Sequence, residues 1–365
     1  MAAETAKHAN PETAFTCITD ACAAFAQYTS ADAAVLCGDA ADVLRAFPDH
    51  SVSLILADPP YPAARKNSRG GDPALRGDAD FMQRIESYAA EWKRVLRYNG
   101  SAFCFCPSAA AAKLETAFSA HFNVLSQIVR VWPNASGSDG SGQKIKAETL
   151  RHWAVRSERI LFMEPKPDGS RSRIGALLQS ARKERMLSTH ALAEMIGAYG
   201  KINHGGVISN WESGRSIPGK EQYIQICEAL KACGRTEDMP PYEALIRPFH
   251  PDPAGECTDV WSFDPVPPYK GRHPTEKPVK LFEQAILATT QEGDVVLDCF
   301  AGSGAAAVAA LKHGRKAVSV ENDPAWADNI ANVLRALEFI DRSRYPDNAV
   351  EPLSKYNDGQ LTWDI

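Results

Sequence analysis

The chain lacks any run of about 18 apolar residues across its 365 positions, so no stretch has the length of a membrane-spanning helix. Residues 1–14 are polar and have no apolar signal-peptide core. The nine cysteines are odd in number, scattered, and never spaced Cys-x-x-Cys. That argues against a disulfide framework and against a zinc site. These absences predict a cytosolic chain without a metal. Two phosphate-binding signatures are also missing: no Gly-Lys-Ser/Thr occurs, and no G-x-G-x-x-G. An excess of positive charge is missing as well, since the formal net charge is −5. The basic residues are nevertheless clustered. Nine Lys/Arg stand against four acids between Arg151 and Arg185, and Arg65, Lys66, Arg69 and Arg76 fall in one loop. Such patches can hold phosphates in an acidic chain, although a solvated charged face explains them equally well.

What is present alternates between strand-like and helix-like pattern. Ala33–Cys37 and Ser51–Ala57 are short apolar runs bounded by turns, the pattern of buried parallel strands. Phe81–Leu96 reads as a helix closed by Asn99-Gly100, followed by a strand over Ala102–Cys106 in which Cys104 and Cys106 share one face. Glu158–Met163, Val260–Phe263, Val295–Leu297 and Ala317–Val320 read as further strands, with helices over Val279–Thr289 and Ser303–Lys312. The class is α/β.

Between Ile174 and Leu230 the pattern becomes purely helical. Ser188 suits a helix cap, and Pro165–Gly169 suits a linker. Ala193, Gly197, Trp211-Glu212, Gly214 and Pro218 resemble the lambda-repressor/Cro-like helix-turn-helix, with a turn from Gly197 to Val207 longer than that family's. The division expected is an N-terminal segment 1–30, a first core part 31–168, an insertion 169–249, a second core part 250–345 and a tail 346–365.

Two stretches carry chemistry. Asp298-Cys-Phe-Ala-Gly-Ser-Gly304 lies where a strand meets a helix. Glycines there allow close approach of a ligand, and a helix N-terminus favours an anion. Asp298 would sit badly beside a pyrophosphate but well beside an ammonium, with the amides of Gly302–Gly304 toward a carboxylate. Glu321, at the next strand end, can accept two ribose hydroxyls. An amino acid joined to a ribose points to S-adenosylmethionine. Thr275 and Lys277, in His273-Pro-Thr-Glu-Lys-Pro278, offer a hydroxyl and a cation for the same carboxylate. A tight turn with acids at strand ends is the plain alternative.

The other stretch is Asp58-Pro59-Pro60-Tyr61. Two prolines forbid helix and further ladder pairing. The Asp58 carboxylate and the Pro59 carbonyl can each accept one N–H of an exocyclic amino group, aiming its lone pair at an electrophile. Tyr61 can stack on the base, which must leave the duplex to reach such a pocket. A proline-rich turn after a buried strand is the plain alternative.

Taken in order, these motifs resemble the amino-methyltransferases of DNA in their beta arrangement, in which the amino-group motif precedes the donor motifs. The resemblance covers about residues 33–165 and 255–340. It implies a Rossmann-like methyltransferase sheet with circularly permuted motif order, here with an inserted all-α helix-turn-helix domain. It implies Asp58, Pro59, Pro60 and Tyr61 at the target base. It implies Asp298, Phe300, Gly302, Ser303, Gly304 and Glu321 at S-adenosylmethionine, with Thr275 and Lys277 nearby and Asp39 at the donor's adenine. Ala305-Ala306 departs from the family's frequent Thr. Double-stranded DNA is the implied partner, in a cytoplasmic, nucleoid-associated enzyme of a kind that commonly dimerises. By local charge, Arg65, Lys66 and Arg69 of the loop and Arg215 and Lys220 of the insertion are candidate phosphate contacts. An Asp-headed motif resembles the adenine-N6 members, and cytosine-N4 transfer is the alternative. Cytosine-C5 chemistry needs a cysteine nucleophile, and no Pro-Cys pair occurs. A DNA-binding regulator with an inactive core is the reading from another class.

Overall fold

The computed structural model describes residues 11–62, 71–72, 78–133, 151, 153, 155–167, 172–198, 206–234, 239–251, 257–267, 269 and 271–338. The chain divides into two compact units, Lys166–Arg247 and the remainder on either side of it.

The larger unit is built on a nine-stranded sheet. Its strands in chain order are β1 (Ala26–Thr29), β2 (Ala33–Cys37), β3 (Val52–Ala57), β6 (Leu96–Cys106), β7 (Phe122–Val131), β8 (Ser157–Pro165), β9 (Val260–Ser262), β10 (Val295–Asp298) and β11 (Lys316–Glu321). Two short strands, β4 (Tyr61–Pro62) and β5 (Gly71–Asp72), pair separately. The spatial order is β1-β2-β11-β10-β3-β6-β8-β7-β9. The run from β2 to β6 is parallel, while β8 lies antiparallel to β6 and β7. Both faces of the parallel run are covered, as such sheets require. Ile55 and Ala57 face helices α1 (Pro11–Ala21), α2 (Ala40–Ala46), α3 (Asp78–Val95) and α4 (Ala111–Phe118). Leu54 and Leu56 face α10 (Val279–Thr289), α11 (Ala305–Lys312) and α12 (Pro324–Leu337). The period-2 alternation of a strand therefore splits one apolar run between two cores. Cys104 and Cys106 point to the first of these cores and Phe105 to the second.

The structure departs from the sequence reading in three places. Asn99-Gly100 does not close a helix: α3 ends at Val95 and β6 begins at once. Gly100 lies inside that strand because a Cβ there would stand 2.9 Å from the Ser53 carbonyl oxygen and 2.7 Å from Leu96. The glycine serves close backbone approach, not a turn. The N-terminal segment is also part of the fold, since α1 buries Phe15 and Ile18 and β1 pairs antiparallel with β2. Finally, α4, β7 and α12 lie where no element was expected. In α12 the local signal is present: Asp323 caps the helix through the Ala325 amide (2.8 Å) ahead of Pro324, a favoured N-terminal pair.

The smaller unit contains α5 (Arg173–Glu184), α6 (Thr189–Met195), α7 (Gly206–Ser213), α8 (Lys220–Ala232) and α9 (Tyr242–Leu245). Ser172 and Ser188 cap α5 and α6 by accepting from Gly175 and Ala191. Leu178, Leu192, Ile208, Trp211, Ile226 and Leu230 form its core. Gly175 lets α5 press on α7, because a Cβ there would come within 2.5 Å of the Trp211 carbonyl oxygen. Glu212 is buried and held by two donors of Arg182, at 2.5 and 2.9 Å. Gly214 ends α7 at a φ of +76°, a conformation that favours glycine. Residues 199–205, the middle of the long turn, lie outside the described residues.

No helix among the described residues is long and apolar enough to cross a membrane. Among them, no group of three or more His, Cys, Asp and Glu is arranged to hold a metal.

Candidate active site

Parallel sheets place ligands beyond the carboxyl ends of their strands. Leu56 of β3 is in register with Asp298 of β10, so the chain leaving β3 at Asp58 passes beside the end of β10. Asp58, Pro59 and Pro60 line the same cavity as Asp298, Phe300, Gly302 and Ser303. Its volume of about 390 Å³ falls within the range of small-molecule sites, ~300–1,000 Å³.

Asp298 is buried, and its Oδ1 accepts the Phe300 amide at 3.0 Å. Burial outweighs that bond and pushes its carboxyl up to about 7, helped by the neighbouring charges of Asp58 and Glu321. Such a carboxylate gains from any cation brought beside it. Glu321, at the end of β11, accepts the Gly302 amide through Oε2 (2.8 Å) and the Asp323 amide through Oε1 (3.0 Å). Each carboxylate oxygen has two acceptor positions, so one on each remains after the backbone bonds.

The glycine turn is more inward-looking than its sequence suggests. The amides of Ala301, Gly302 and Gly304 donate to the Val320 carbonyl, to Glu321 and to the Ala301 carbonyl. They are therefore committed within the chain and not presented to a ligand carboxylate. Gly302, at φ +50°, is needed because a Cβ would stand 2.9 Å from the His273 ring, and Gly304, at φ +80°, packs against Ile330. The His273 imidazole stands edge-on to Trp326, with centroids 4.6 Å apart. Burial, with Lys277 nearby, lowers its pKa to about 4, so it is neutral at physiological pH.

Asp39, also in the cavity wall, caps α2 through the Ala41 amide, at 2.9 Å. Phe300 packs edge-on against Tyr88, at 5.3 Å. Thr275 lines the cavity, with its hydroxyl 3.3 Å from His273 Nδ1. Lys277 also lines it, but its ammonium pairs with Asp58 Oδ2. Burial raises the Asp58 pKa, and Lys277 opposes that rise. Burial would lower the Lys277 pKa, but the Asp58 and Glu158 carboxylates raise it overall.

Sequence reasoning missed Gly38, Arg84, Glu276, Asn322, Asp323 and Trp326 in the cavity wall. Arg84 and Tyr88 share a helix face one turn apart, which was legible as periodicity but not as a site. The side chain of Tyr61 lies outside the described residues, as do Arg65, Lys66, Arg69 and Arg76 of the loop that follows. In the smaller unit Arg215 and Lys220 are exposed; Lys220 pairs with Glu243 at 2.5 Å.

Among known proteins, the profile of the DNA methylase family, the N6/N4 methyltransferases, matches residues 52–332. The chain is 26% identical over 328 residues to the DNA adenine methyltransferase YhdJ of Escherichia coli K12, covering 90% of each. It is 24% identical over 307 residues to the Type II methyltransferase M.Cfr9I of Citrobacter freundii, covering 82% of this chain and 86% of that one. The structure of PvuII DNA methyltransferase (cytosine-N4-specific) shares its fold, with a TM-score of 0.50, 16% identity, and coverage of 90% of this chain and 93% of the other.

Proposed function

The chain belongs to the N6/N4 DNA methylase family and is a DNA methyltransferase, and on that premise we propose that it methylates the exocyclic N6 of adenine in double-stranded DNA, with S-adenosylmethionine as donor. The observation that carries this reading is that Asp58-Pro59-Pro60 and Asp298 with Glu321 line one cavity. An amino-group acceptor and a site for an ammonium and a ribose then face the same space.

The donor fits the residues present. Asp298 is a buried carboxylate with one backbone donor, suited to the ammonium. Glu321 keeps acceptor capacity for ribose hydroxyls, Phe300 offers an apolar wall, and Asp39 reaches the adenine end. Gly302, Ser303 and Gly304 shape the turn, and Thr275 adds a hydroxyl. When bound, S-adenosylmethionine supplies an electrophilic methyl group on a sulfonium.

Asp58 and the Pro59 carbonyl each accept one N–H of the flipped base, which fixes the nitrogen lone pair toward the methyl group. Tyr61 stacks on the base. Once nitrogen is methylated it sheds one proton, for which the Asp58 carboxylate is the adjacent acceptor. The Asp that heads the motif favours adenine, as does the likeness to an enzyme named as an adenine methyltransferase over nine-tenths of both chains. We extend the proposal to the smaller unit, whose helices would act as a helix-turn-helix that holds DNA, with the exposed Arg215 as a phosphate contact.

Purified protein incubated with tritiated donor and duplex DNA should yield labelled N6-methyladenine. Label confined to RNA or protein would overturn the assignment.

A further inference from the structure

Lys277 sits in a row of alternating charges whose two cations are buried and whose two carboxylates are part-buried. Its ammonium pairs with Asp58 Oδ2, lies 3.9 Å from Glu158 Oε2, and stands 4.9 Å from the centre of the Phe105 ring. Glu158 of β8 accepts from Arg130 Nη1 at 2.7 Å, and these two are register partners across β7 and β8. Only 8% of the Lys277 side chain and 4% of that of Arg130 is exposed. Desolvating four charges is costly unless each is paired, and three strands and the turn before α10 combine to pair them.

We propose that Lys277 is a positioning residue of the base pocket, fixing the Asp58 carboxylate through Oδ2 so that Oδ1 is left for the target amino group, with Glu158 and Arg130 holding Lys277 in place. This rests on the reading that Asp58 receives the amino group, and it gives Lys277 a task other than the donor's carboxylate. A carboxylate free to rotate would misdirect the nitrogen lone pair, and misplacement by about 1 Å can cost a hundredfold in rate.

The groups facing Asp58 are Lys277, Glu158, Arg130 and Asp298, with the thiols of Cys104 and Cys106. Burial pushes both thiols up, Cys106 to about 12, so they are neutral. Removing the Lys277 charge takes away the cation paired with Asp58 and raises its pKa further, with Arg130 still opposing the rise. Removing the Glu158 charge lowers it.

The test uses the full chain as Lys277→Met and Glu158→Gln. Carbon-13 NMR titration of the Asp58 carboxyl without ligands is paired with donor affinity by calorimetry and kcat against pH at saturating donor. Lys277→Met should move the Asp58 titration and the acid limb of kcat upward by about one unit or more. It should also lower kcat by about a hundredfold and leave donor affinity unchanged. Glu158→Gln should move both titrations downward, and it keeps the test alive if Lys277→Met does not fold. The proposal is overturned if both variants shift the titration in the same direction. It is equally overturned if Lys277→Met weakens donor binding while kcat at saturation is retained. If the wild type transfers no methyl group to DNA, the amino-group reading fails, while the NMR titration still decides the Lys277–Asp58 pairing.

Discussion

Leu56 of β3 and Asp298 of β10 are register partners in a parallel pair, which brings Asp58, two residues beyond Leu56, into the wall of the same cavity as Asp298. Residues far apart in the chain thus meet because β10 is inserted beside β3. The division of labour between them is testable. Asp58→Ala should reduce methyl transfer by about a thousandfold, within the range attributed to a positioned proton acceptor. Donor affinity by calorimetry should remain close to that of the wild type. An equal loss of donor affinity would contradict the role given to Asp58.

Asp298 predicts a pH dependence of donor binding. Its carboxyl is held at about 7 by burial, well above its ordinary value, so it binds its proton more tightly in the folded chain than in the unfolded one. Below pH 7 it is neutral, and an ammonium loses its partner. Donor affinity should therefore fall as pH drops through 7 and level off above it, and Asp298→Asn should abolish that slope. The sign for stability is opposite. The ligand-free chain loses stability as pH rises from about 4 through 7, because folding then has to bury the ionised form. Asp298→Asn should raise the melting temperature at pH 8 more than at pH 5.

Glu321 holds two backbone amides, of Gly302 and Asp323. Glu321→Ala leaves them unpaired, at a cost of about 1–3 kcal/mol for a buried donor. Chemical denaturation should register that loss together with weakened donor binding. Glu321→Gln retains one acceptor oxygen and should fall between Ala and wild type in both measurements.

In the smaller unit, Arg215 is exposed just beyond α7. If it contacts phosphate, Arg215→Ala should weaken DNA binding evenly across sequences and lower the salt slope by about one. Lys220, whose ammonium is engaged by Glu243, should matter less. Fluorescence anisotropy at several salt concentrations separates the two.

The parallel strands were legible because burial on both faces leaves nearly continuous apolar runs, as at Leu54–Ala57 and Val295–Leu297. The motifs at their ends were legible because prolines and glycines punctuate them. The N-terminal helix was not, since the residues that dock it, Phe15 and Ile18, stand in an Ala-rich stretch. Asn99-Gly100 misled because the same dipeptide serves a turn or a close backbone contact, and only the neighbouring strand decides. The station of Lys277 was hidden for the same kind of reason. The position of Glu158 beside it depends on strand pairings that no local pattern encodes.

The central claim is that one cavity directs a methyl group to adenine N6 through Asp58. The most direct measurement is mass spectrometry of nucleosides from the DNA of a host free of adenine methylation. The host would express either the wild-type chain or Asp58→Ala at equal levels. The account predicts abundant N6-methyldeoxyadenosine with the wild type and at most a trace with the variant. N4-methyldeoxycytidine as the sole product would contradict the assignment to adenine, and equal N6-methyldeoxyadenosine from both chains would contradict the role of Asp58.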